Sequence, residues 1–199
     1  MILLCALFFI SGCKGEEASA KDVVENFAKS LESGDFEAAY SYATKDAQDD
    51  LDSLVGPFKT ASDQFDPSVF GTTLDSSIAK EIEKLKKQLF GYAFKNHEIL
   101  NVVEESDSKY TITMKIEIID QAIFNDFDES KLSSYLLSQI SDLEEIDFTN
   151  PMSMISQLLP KLTTMFNDIL NQASYIPTTY TITLEKINGE YKITQLQQA

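Results

Sequence analysis

A chain of 199 residues is long enough for one domain with a real core, or one domain and a small appendage. Its 43% apolar content marks it as globular, and 32 Asp+Glu against 16 Lys+Arg give a formal charge of −16. A field of that sign aids solubility and repels phosphate backbones and anionic headgroups, which argues against nucleic acid as a partner and against a basic membrane-reading patch.

The chain opens on an unbroken apolar run, Ile2 to Ile10. At ~1.5 Å per residue that run covers less than half of a ~30 Å hydrocarbon core, so it is too short to span a membrane unless residues are missing upstream. Its length suits the apolar region of a signal peptide. The positive charge usual before such a region is absent, and a start assigned a few residues too late accounts for that. Ile10-Ser11-Gly12-Cys13 resembles the bacterial lipobox, in which a branched aliphatic and two small residues precede a cysteine. In that family the thiol is diacylated and cleavage leaves the cysteine as the new N-terminus. Ser11 and Gly12 are small enough for a protease groove, Cys13 supplies the thiol, and two acyl chains give the stable anchoring that one does not. The resemblance implies a signal peptide over residues 1–12, a lipidated Cys13, and attachment to the outer face of the cell membrane. Residues 13–20 then form a short linker. Fully extended, Lys14 to Ala20 reach roughly 25 Å at ~3.5 Å per residue, so the body is held close to the bilayer.

Both cysteines, Cys5 and Cys13, lie in this opening segment, and the body from residue 21 to 199 carries no thiol for a disulfide or a nucleophile. Val23, Val24, Phe27, Ala28 and Leu31 mark an amphipathic helix that Gly34 stops. Asp35 caps a second helix carrying Phe36, Ala39 and Tyr40. A third, with Ala47, Leu51, Leu54 and Val55, is expected to end at Gly56-Pro57. Lys59 to Thr73 reads as a loop, and Asp75 as the cap of a helix bearing Ile78, Ile82, Leu85 and Leu89.

From Tyr92 the period changes from helix to strand. "AFKNHEILNVVEE" alternates loosely. After the turn Ser106-Asp107-Ser108, "KYTITMKIEIID" places Tyr110, Ile112, Met114, Ile116 and Ile118 on one face. Two helical stretches follow, Glu129 to Ile146 and Pro151 to Ala173, with Pro160 expected to kink the second. The chain closes on a hairpin whose turn, Asn188-Gly189, has the type I′ signature. "YTIT" recurs at Tyr110–Thr113 and Tyr180–Thr183, as β-branched and aromatic preference yields when two strands are each half buried.

Two ends of the body carry a second resemblance. "VVENFAKSLESGDFEAAYSYAT" resembles the helix–Gly-Asp–helix opening, and "YTITLEKINGEYKITQL" the closing hairpin, of secreted bacterial domains of the nuclear-transport-factor-2-like superfamily. Tyr191 stands where Trp is usual. Together with the lipobox, these stretches resemble small bacterial lipoproteins of unknown function. The resemblance implies an α+β fold: a curved antiparallel sheet packed on N-terminal helices, a cone, here with an inserted helical pair. That fold hosts enzymes, binders and scaffolds, so it does not by itself assign a function.

Candidate chemistry is sparse. Asp63 and Asp66, and the cluster Asn125, Asp126, Asp128 and Glu129, offer oxygens for calcium, but the EF-hand Gly and distal Glu are missing and helix capping explains the second cluster. Tyr40, Tyr42, Asp120 and the one histidine, His97, are the residues from which an isomerase-like carboxylate or imidazole site would be drawn. Packing on a helix face explains the tyrosines, and a strand surface explains His97. Met152, Met154 and Met165 suit either an adaptable binding surface or a buried core helix. No cofactor, resident metal or catalytic residue is expected. The function expected is that of a lipid-anchored accessory domain binding a small apolar ligand or an envelope protein. The alternative is a cone-fold isomerase acting on a small hydrophobic molecule.

Overall fold

The computed structural model describes residues 10–63, 76–120, 122–123, 134 and 151–199. Helices α1 (Ile10–Glu32), α2 (Phe36–Ser41), α3 (Gln48–Asp63) and α4 (Ser76–Gly91) precede strands β1 (Phe94–Ser106) and β2 (Lys109–Ile119). Helix α5 (Pro151–Leu170) then leads to β3 (Tyr175–Ile187) and β4 (Glu190–Gln198). The four strands form one sheet in the order β1-β2-β3-β4, each neighbour antiparallel. The expected α+β class is therefore observed, with the sheet following the N-terminal helices and helix α5 inserted in the middle of the meander. Glu129 to Ile146, expected as the other inserted helix, falls almost wholly outside the described residues.

α1 lies along one face of the sheet. Ala20, Val24, Phe27, Ala28 and Leu31, spaced by three and four, are at most 1% exposed. They meet Tyr110, Ile112, Met114 and Ile116 of β2 and Ile182 and Leu184 of β3, all fully buried. The two "YTIT" stretches are neighbours: Ile112 faces Ile182, flanked by Thr111 opposite Thr183 and Thr113 opposite Thr181. One face of this central pair is thus isoleucine in the core, and the other is a threonine ladder.

Bulges set the curvature and the phase of the edge strands. Gln195 pairs with Thr183 and Ile193 with Leu184, leaving Thr194 as the extra residue. Burial on β4 accordingly runs Tyr191, Ile193, then Leu196, rather than falling on Gln195. On β2 the alternation also breaks at its end, where Ile119 is buried and Ile118 only partly so.

Several local expectations hold. The chain leaves α1 through a left-handed Gly34 (φ 69), with Gly34 N–H on the Leu31 carbonyl and Asp35 N–H on the Ser30 carbonyl. A Cβ on Gly34 would lie 2.7 Å from the Lys87 carbonyl oxygen and from Gly91 N, so α4 packs backbone to backbone against this turn. Asp35 caps α2, accepting from Ala38 N–H at 3.2 Å. Asn188 (φ 53) and Gly189 (φ 90) form the type I′ turn.

Two boundaries differ from expectation. α3 does not stop at Gly56-Pro57 but runs to Asp63. The next residue, Phe58, is 4% exposed with its ring 5.4 Å from that of Phe94, and this packing carries the helix through the proline. α1 begins at Ile10, so Lys14 to Ala20 are helical rather than extended. There Glu16 accepts from Lys186 Nζ and Tyr191 Oη of the β3–β4 hairpin, tying that turn of the helix to the sheet. α5 continues through Pro160, whose carbonyl accepts from Thr164 Oγ1. Asp75 lies outside the described residues.

Candidate functional site

The polar convergence in this fold sits where the C-terminal ends of α1 and α4 meet the start of β1. Lys95 pairs with Glu117 and Glu98 with Lys115, so two residues, Asn96 and His97, bulge from the ladder. Asn96 takes a left-handed conformation (φ 53), one a non-glycine residue rarely adopts, and donates from Nδ2 to Glu117 Oε2 at 2.9 Å. The bulge turns His97 toward α1.

His97 is then held by two glutamates seven residues apart on one face of α1. Nε2 lies 3.1 Å from Glu25 Oε2, and Nδ1 lies 2.9 Å from Glu32 Oε1. The same Glu32 oxygen accepts from the His97 backbone N–H at 2.9 Å. The histidine side chain is only 12% exposed. Desolvation pushes its pKa down, but the hydrogen bonds and charges of Glu25 and Glu32 outweigh it, and the net shift is upward. Reciprocally, the bond to His97 holds the Glu25 carboxyl below its ordinary range against the pull of burial. The carbonyl ends of α1 and α4 favour positive charge in the same place. Both ring nitrogens face carboxylates, so the imidazolium is the form this arrangement selects.

Beside this clasp lies an open depression of about 450 Å³, lined by Glu32, Gly91, Phe94, Lys95, Asn96 and His97. Lys95 Nζ sits 3.3 Å over the centre of the Tyr175 ring, and Tyr175 Oη donates to the Tyr92 carbonyl at 2.9 Å. The imidazolium, protonated on both nitrogens and donating to a carboxylate from each, has no lone pair for abstracting a proton. The clasp is therefore an ionic joint between α1 and β1 rather than a general base.

The other candidates do not join it. Tyr40 donates to Asp52 on α3, and burial together with that carboxylate raises its pKa. Tyr42 packs against the edge of the core. Asp120 closes the turn after β2, accepting from Ala122 N–H at 2.9 Å and from Ser174 Oγ at 3.4 Å. Tyr40, Asp120 and His97 thus serve three separate joints. Asp66, Asn125, Asp126, Asp128 and Glu129 lie outside the described residues, as does the Asp63 side chain. Among the described residues no group of three His, Cys, Asp or Glu side chains is arranged to hold a metal ion, since both ring nitrogens of His97 are already spent on Glu25 and Glu32. Met165 is 6% exposed, a core residue, while the side chains of Met152 and Met154 lie outside the description. Sequence reasoning missed Glu25 and Glu32, whose only mark is their spacing of seven on the polar side of α1.

This geometry defines the class of the molecule: an α+β domain of one bulged, four-stranded antiparallel sheet on N-terminal helices. No family model matches the chain, and no curated protein does either. Among solved structures it is similar to a ketosteroid isomerase-like protein from Erwinia carotovora atroseptica, at 10% identity over 91% of this chain and 92% of that one, with a TM-score of 0.37. A likeness that loose carries no argument about activity.

Proposed function

We propose that this chain is a lipid-anchored extracytoplasmic lipoprotein of nuclear-transport-factor-2-like architecture, acting without catalysis through contact with a neighbouring envelope protein. The observation that carries the reading is the succession of an apolar run, Ile10-Ser11-Gly12-Cys13, and a folded body that starts at once. Glu16 is already bonded to the sheet three residues after Cys13. Among the described residues no helix is long and apolar enough to cross a membrane.

Absence of catalysis is supported by the engagement of His97 on both ring nitrogens. An isomerase acting on a hydrophobic molecule needs a free proton acceptor facing an apolar cavity. A protein partner is favoured over a small apolar ligand by Leu100 and Val103, 50% and 44% exposed on the edge strand β1.

Cys13→Ala tests the anchor. Metabolic labelling with palmitate and fractionation of host cells should show loss of label and release from the membrane fraction. A C13A protein that stays with the membrane overturns the reading. Native mass spectrometry of wild-type protein taken from the host should then show a co-purified protein rather than a retained small ligand.

A further inference from the structure

The strands and α1 run alongside one another, so the molecule has two distinct ends. At one end lie the Asp107-Ser108 and Asn188-Gly189 turns; at the other lie the His97 clasp and the Ser174-Tyr175 entry to β3. α1 is tied to both. Glu25 and Glu32 hold the clasp end, and Glu16 holds the turn end through Lys186 and Tyr191. Lys186 N–H donates to the Ser108 carbonyl at 2.9 Å, and Tyr191 Oη is 3.4 Å from the Asp107 carbonyl, so Glu16 is fastened beside the turns themselves.

Cys13 stands one helical turn before Glu16 on the same continuous helix, about 4.5 Å along its axis. Cleavage before Cys13 would also place Glu16 and Glu17 in the first turn of α1, where the positive end of the helix dipole favours acids. A chain leaving the domain here has almost no slack. Resting on the anchored reading above, we infer that the acyl chains on Cys13 hold the domain in one orientation, with the two hairpin turns facing the bilayer and the His97 end facing away. The intervening sheet is about 35 Å long, from eleven residues of β2 at ~3.3 Å each.

The described lysines around the two turns are paired with acids. Lys109 is shared between Glu105 (3.7 Å) and Glu185 (3.6 Å), Lys186 is bonded to Glu16, and Lys192 pairs with Glu190 at 3.8 Å. Glu104 and Asp107 add further negative charge. The anchor and the stiffness of α1 set the orientation, and the end that meets the headgroups carries one exposed apolar side chain, Ile187 beside the Asn188-Gly189 turn. The Leu100–Val103 edge and the His97 depression stay open to partners.

The test uses the lipidated full-length protein in phosphatidylcholine vesicles containing a headgroup-labelled quencher lipid. A fluorophore is attached to S108C at the turn end or to Q172C at the other; Cys13 is blocked by its acyl chain. Flotation with the vesicles is measured first. Protein that fails to float overturns both the anchor and the orientation. With flotation established, several-fold stronger quenching at position 108 than at 172 is expected. Equal quenching at the two positions, as a freely swivelling tether gives, overturns the orientation and leaves the anchor standing. In E16A, which removes the tie to Lys186 and Tyr191 without touching the core, the difference should shrink while flotation persists. An unchanged difference would show that Glu16 does not set the pose.

Discussion

His97 on β1 and Glu25 on α1, 72 residues apart in the chain, sit 3.1 Å apart, and Glu32 closes the other side of the ring at 2.9 Å. Because His97 titrates above its ordinary value, its stabilising contribution is full below the unfolded imidazole pKa and fades as pH rises through the raised one. Glu25 is shifted the other way, so its contribution is present above the unfolded carboxylate pKa and is lost as pH falls through the lowered one. The joint is strongest between those limits. As the one histidine in the chain, His97 gives an unambiguous NMR titration, and its midpoint should lie above about 6.5. His97→Gln should lose on the order of 1 kcal/mol near pH 6, with the deficit shrinking at alkaline pH. A midpoint at or below the ordinary value contradicts the clasp.

Gly34 should be the least replaceable glycine among those described. It combines a positive φ of 69 with backbone atoms 2.7 Å from where a Cβ would stand. Gly189 has φ 90 but nothing within 4 Å. Gly34→Ala should therefore cost at least ~2 kcal/mol, from strain and the displacement of α4, and Gly189→Ala only about 1 kcal/mol. Urea denaturation of the two variants compares them directly, and equal losses would refute the close approach.

Asp35 serves two neighbours, accepting from Ala38 N–H and lying 3.2 Å from Lys87 Nζ. The capping bond, and secondarily Lys87, hold its carboxyl below the usual range. Asp35→Ala should destabilise by about 1 kcal/mol at neutral pH, chiefly through the lost cap. The contribution is present above the unfolded carboxylate pKa, so the gap between variant and wild type should close as pH falls through the lowered one. Lys87→Met, which spares the cap, should have the smaller effect in the same melts.

Ile112 and Ile182 face each other at the centre of the sheet, both fully buried. Truncating either to Ala should cost roughly 2–5 kcal/mol. Leu100→Ala, at a side chain half exposed on the edge strand, should change stability by less than about 0.5 kcal/mol. A large loss at Leu100 would mean that the edge is covered in the folded protein.

What was legible in the amino-acid order was whatever depends on near neighbours. Asn188-Gly189 demands a tight turn because few other pairs tolerate two positive φ angles. Asp35 after Gly34 writes a helix stop and a helix start, and Tyr110 to Ile116 alternate because a strand with one buried face must. What tertiary structure alone decided depends on contacts far apart in the chain. The local pattern at Gly56-Pro57 reads as an end, yet burial of Phe58 against Phe94 outweighs the proline. Thr194 shifts the phase of β4 only because Thr183 and Leu184 lie opposite it. His97 reads locally as a strand surface, since nothing in β1 announces two glutamates on a helix 65 and 72 residues away. Glu16 likewise carries no local sign that Lys186 and Tyr191 will receive it. Local chemistry therefore determined the elements and their turns. Packing over long separations decided which ends of those elements meet, because only the closed fold brings their charges within a few ångströms.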